Sequence, residues 1–117
     1  MTEARTQVHV LADLTRVGSG ALRDSSLLTG LLIAAAGAAG LSAVGTPSVH
    51  VDPEGKVSAF LFVDACHLSV HSFPASGMLL VDVMARDETS AAKALDVFVR
   101  RLTPGSVASE SRVRGVT

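Results

Sequence analysis

A chain of 117 residues, 48% hydrophobic and 18% charged, has the apolar material for one core and too little charge to stay disordered, so residues 1–117 are read as a single domain. Ten basic against eleven acidic residues leave a formal net charge of -1, and aromatics are only 3% with no Trp or Tyr. There is therefore no field to attract nucleic-acid phosphates or an anionic membrane, and no stacking platform for single-stranded nucleic acid.

The first predicted strand covers 8–14, where Val8-His9-Val10-Leu11-Ala12-Asp13-Leu14 alternates β-branched with other residues ahead of Gly18-Ser19-Gly20. From Leu22 to about Leu41 small and branched apolar residues continue as a helix, with Asp24, Ser25 or Ser26 able to cap its start and Gly45, Thr46 and Pro47 breaking it. No charge occurs between Asp24 and His50, so this stretch imitates a membrane span. A span needs about 20 strongly apolar residues, whereas Ala and Gly dominate after Ile33, and a buried helix is the expected reading. Residues 48–51, the turn Pro53-Glu54-Gly55-Lys56 and residues 57–63 read as a hairpin. Two more β-rich runs, 67–73 and 78–85, follow Asp64-Ala65 and the turn Pro74-Ala75-Ser76-Gly77. Ala91, Ala94, Leu95, Phe98 and Leu102 mark a helix over 91–102 with one buried stripe, and Arg100 and Arg101 suit its negative end. A marginal edge strand over 107–113 closes the series, because Ser, Glu and Arg alternate there.

This order predicts an α+β domain, a mostly antiparallel sheet with two helices on one face. Ala59-Phe60-Leu61-Phe62-Val63 and Met78-Leu79-Leu80-Val81 are apolar at consecutive positions, so both sheet faces require cover that one chain supplies on one side only. A homodimer with sheets packed face to face is expected. Cys66 is the single cysteine, and the N-terminus lacks the basic-then-apolar run of a secretory signal, so a cytoplasmic setting is expected.

Asp64-Ala65-Cys66-His67-Leu68-Ser69-Val70-His71 gathers a thiol, two imidazoles and a hydroxyl. On one strand His67 and His71 lie about 13 Å apart, too far to share a metal ion unless His9 or His50 converges on one of them, and no metal is expected. A Cys–His nucleophile is a second reading, but strict alternation puts Cys66 and His71 on opposite faces unless the chain bends. The plain alternative is a buried cysteine packing as a small hydrophobe, with histidines bonded to backbone.

Taken in order, His9-Val10-Leu11-Ala12-Asp13-Leu14, Cys66-His67-Leu68-Ser69-Val70-His71-Ser72-Phe73-Pro74 and Gly77-Met78-Leu79-Leu80-Val81-Asp82-Val83 resemble the short bacterial S-adenosylmethionine decarboxylase proenzymes. The likeness spans nearly the whole chain. It implies self-cleavage before the residue at Cys66, which becomes a pyruvoyl group whose carbonyl condenses with the substrate amine and draws electrons as carbon dioxide leaves. The family has serine at this position, and a thiol can make the same attack on the preceding carbonyl, that of Ala65. Ser58 and His71 match the hydroxyl and imidazole that assist cleavage, as oxyanion partner and proton-transfer group. Three positions depart from the pattern: Ala65 and Ala75 replace glutamates, and Arg86 stands where a catalytic cysteine is expected.

The resemblance implies a pyruvoyl-type lyase of polyamine metabolism acting on an adenosyl-sulfonium or related amine ligand. The alternatives are an uncleaved, non-catalytic homologue that binds such a ligand or regulates a relative, and an enzyme using intact Cys66 with a histidine.

Overall fold

The computed structural model describes residues 6–115. Six strands form one antiparallel sheet: β1 (Gln7–Thr15), β2 (Ser48–Val51), β3 (Val57–Phe62), β4 (His67–Phe73), β5 (Met78–Ala85) and β6 (Ser106–Arg114). Their spatial order is β2-β3-β4-β5-β1-β6. A one-turn helix α1 (Ser19–Leu22) precedes α2 (Ser25–Ala38), and α3 (Glu88–Leu102) joins β5 to β6. The chain has the α+β architecture its residue pattern predicts. Among the described residues no helix is long and apolar enough to cross a membrane.

Period-two alternation decides which face is covered. Val8, Val10, Ala12 and Leu14 of β1, Val57, Ala59 and Leu61 of β3, and Leu79, Val81, Val83 and Ala85 of β5 are all buried. They meet Leu28, Leu31, Leu32, Ala35 and Ala36 of α2 and Ala91, Ala94, Phe98 and Leu102 of α3. The opposite sheet face carries His9, Phe60, Phe62, His67, His71 and Asp82, and Phe62 is 60% exposed. One chain therefore covers one face with helices and leaves the other open.

Several boundaries differ from the sequence reading. The helix expected from Leu22 to about Leu41 is α2, which starts at Ser25 and ends at Ala38, while Leu22 closes the separate one-turn α1. Asp24 caps the start of α2 by accepting from Leu27 N–H at 3.0 Å. Its end is a Schellman motif in which Leu41 N–H bonds Ala36 C=O at 2.9 Å, Gly40 N–H bonds Gly37 C=O at 3.1 Å, and Gly40 has φ +71°. Helix α3 starts three residues early because Asp87 accepts from Ser90 N–H at 2.7 Å. The marginal last strand is a full nine-residue edge, paired with β1 from Gln7–Arg114 to Thr15–Ser106. Backbone pairing to a buried neighbour secures it although every side chain on it is exposed.

Candidate active site on the open sheet face

The β3–β4 register sets Ser58 opposite His71, with both side chains on the open face. His71 Nδ1 and Ser58 Oγ are 2.9 Å apart. In one neutral tautomer Ser58 donates to Nδ1, and in the other Nδ1–H donates to Ser58. The neighbouring rung is held from the core side, where fully buried Ser72 accepts from Val57 N–H at 2.8 Å. The ladder ends there on a side chain, which fixes the strands carrying Ser58 and His71. Register also sets His50 of β2 beside Ser58. Ser58 thus stands between two imidazole-bearing positions, in a depression of about 420 Å³ whose lining includes His50, Phe60, Ser69 and His71.

Cys66 lies at the other end of the hairpin, in the bend between Val63, whose N–H bonds Cys66 C=O at 3.1 Å, and His67. The bend removes it from strict alternation, and its thiol donates to Gln7 Oε1 at 3.5 Å. Asp64 anchors this loop. Its N–H bonds Ser42 C=O at 2.9 Å, its Oδ1 accepts from Ser42 N–H at 3.1 Å, and its Oδ2 pairs with Arg86. The Ser42 N–H first, and then the Arg86 guanidinium, hold the Asp64 carboxyl below the usual carboxylate range.

Of the three predicted site residues, the structure unites Ser58 with His71 and leaves Cys66 apart. His67 and His71 are four β4 steps from one another, about 13 Å, and Cys66 lies one residue beyond His67. The Cys66–His71 pair is accordingly not formed within one chain. His67 itself stacks on Phe60, with centroids 5.0 Å apart. Burial lowers its pKa and the charge of nearby His9 lowers it further, against an opposing pull from Asp82. His9 Nε2 is a buried atom without a hydrogen-bond partner, 3.8 Å from Asp82 Oδ1. His9 lies near enough to His67 to influence its charge, whereas His50 and His71 flank Ser58 from the strands on either side. Among the described residues no three metal-ligating side chains converge.

The substituted positions also have defined surroundings. Ala65 packs against the core, and Arg86 is engaged with Asp64. Ala75 sits in a 3-10 turn (Pro74–Ser76) beside a second cavity of about 280 Å³, lined also by Arg23, Asp52, Glu54 and Lys56. Sequence reasoning missed Gln7, Asp64 and the place of His50 beside Ser58. Alternation gives His50 the correct face only once its register with β3 is known.

The family model for S-adenosylmethionine decarboxylase matches residues 8–115. The S-adenosylmethionine decarboxylase proenzyme of Aquifex aeolicus is 27% identical over 110 residues, 93% of this chain and 81% of that protein. The proenzyme of Pyrobaculum aerophilum is 31% identical over 100 residues, 85% of this chain and 80% of the relative. The crystal structure of the adenosylmethionine decarboxylase from Aquifex aeolicus matches with a TM-score of 0.89 at 24% identity, covering 98% of this chain and 95% of that one.

Proposed function

Because this chain belongs to the S-adenosylmethionine decarboxylase family, we propose that it is a cytoplasmic decarboxylase-like protein of polyamine metabolism. In this reading the Ser58–His71 depression receives an adenosyl-sulfonium or related amine ligand, and Cys66 is the position from which a pyruvoyl group arises. A pyruvoyl carbonyl supplies the electron sink needed as carbon dioxide leaves. The observation that carries the reading is the 2.9 Å Ser58–His71 contact on an open, partly apolar face. An imidazole there can take and return a proton, and a hydroxyl beside it can stabilise a developing oxyanion.

The residues fit the group only in part within one chain. The Cys66 thiol adjoins the Ala65 carbonyl it would attack, forming a C–S bond as the Ala65–Cys66 C–N bond breaks and the thiol proton passes to the freed amine. Loss of the Cys66 α-proton would then expel the Ala65 thiocarboxylate, and water would convert the remaining imine to the pyruvoyl carbonyl with release of ammonia. Ser58 and His71 of the same chain are out of reach. A second copy laid sheet to sheet over the open face would supply its own Ser58–His71 pair, and the uncovered Phe60 and Phe62 support that homodimer. The second reading, an uncleaved binding homologue, is favoured by Ala65 and Ala75 in place of carboxylates and by the engagement of Arg86 with Asp64.

Intact mass of freshly made protein under denaturing conditions tests the proposal. Most chains are expected uncut, with a minor pair of fragments divided between Ala65 and Cys66 that hydroxylamine increases slightly and His71→Ala removes. A chain that never divides but binds S-adenosylmethionine is the uncleaved homologue. One that neither divides nor binds overturns both readings.

A further inference from the structure

Three separate segments meet at Asp64. The stretch after α2 contributes Ser42, whose backbone bonds Asp64 twice, at 2.9 and 3.1 Å. The junction of β5 and α3 contributes Arg86, paired with the other carboxylate oxygen. The hairpin loop contributes Asp64 itself, two residues before Cys66. Next to these ties, Val44 N–H bonds Phe62 C=O at 2.8 Å, and Ala43 bridges Val63. Where a thiol is expected, Arg86 thus places a cation paired with the carboxylate of the loop that bears Cys66.

We propose that Arg86 is a positioning residue for Cys66, acting through Asp64 as a latch that keeps the Ala65–Cys66 loop closed and limits the reactivity of its thiol. The inference rests on reading Cys66 as the reactive position. The latch is soft, because the Arg86 and Asp64 side chains are 52% and 37% exposed. An ion pair so placed changes an opening equilibrium by about two- to fivefold and is screened by salt.

The test uses the full chain with Arg86→Ala, Arg86→Lys and Asp64→Asn, and two readouts on native protein: the rate at which iodoacetamide alkylates Cys66, and hydrogen exchange at the Ser42 amide. Arg86→Ala and Asp64→Asn are expected to alkylate about two- to fivefold faster than the parent and to exchange Ser42 faster by a similar factor. Arg86→Lys should restore most of the protection, and about 1 M salt should bring the parent toward Arg86→Ala. Arg86→Ala matching the parent in both readouts, or Arg86→Lys being as fast as Arg86→Ala, overturns the latch. Both readouts survive if self-cleavage proves absent, so failure of the decarboxylase reading is distinguishable. If the chain is found cut at Cys66, Ser42 exchange alone decides.

Discussion

Two serines one residue pair apart on the β3–β4 hairpin should respond oppositely to loss of a hydroxyl. Ser72 is fully buried and accepts Val57 N–H at 2.8 Å. Ser72→Ala leaves that amide buried with no acceptor, a cost of about 1–3 kcal/mol. With an unfolding entropy of about 2.1 cal/mol/K per residue, a chain of this length loses about 4 °C in Tm per kcal/mol, so a fall of about 4–12 °C is expected. Ser58 bonds the exposed imidazole of His71, and water replaces that bond when the hydroxyl is removed. Ser58→Ala should keep its Tm within about 2 °C of the parent, the range of surface substitutions, while losing whatever self-cleavage the parent shows. Thermal unfolding followed by circular dichroism, at matched protein concentration because association raises Tm, gives the comparison. A Ser72→Ala chain melting within 2 °C of the parent, or a Ser58→Ala chain melting below it, would refute the division of one serine to the fold and the other to the site.

Acid should weaken the fold through His67. Its folded pKa lies below the ordinary 6.5, so the unfolded chain binds the proton more readily; this share of stability is complete above pH 6.5 and is lost as pH falls below it toward the folded value. His67→Asn should flatten the dependence of Tm on pH in that window, and an unchanged slope would exclude His67 as its source. With Ala75 and Arg86 in place of a carboxylate and a thiol, decarboxylation of S-adenosylmethionine is expected about 10²–10⁴-fold below an ordinary enzyme. Turnover near about 10 per second would overturn that account. Sedimentation at micromolar concentration should show a dimer, and a monodisperse monomer would count against packing through the open face.

Much of the fold was legible because local chemistry repeats with the period of the element. The 67–73 and 78–85 strands follow from β-rich runs separated by the Pro74-to-Gly77 turn, and the buried stripe of α3 from the spacing of Ala91, Ala94, Phe98 and Leu102. The ordered match of the runs at 9–14, 66–74 and 77–83 identified the family from residue types and their spacing. The end of α2 was not legible, since the Ala- and Gly-rich run is apolar on every side and only the left-handed turn at Gly40 stops it. Nor could the sequence show that Cys66 and the Ser58–His71 pair occupy opposite ends of one hairpin. Ser58 meets His71 through strand register, His50 joins them from a third strand, and Asp64 meets Arg86 across 22 residues of chain. Such encounters depend on pairings between distant segments, which folding selects by burying one sheet face against α2 and α3. Exposed side chains like Asp64, His71 and Arg86 carry no periodic signal of the neighbours that burial brings to them.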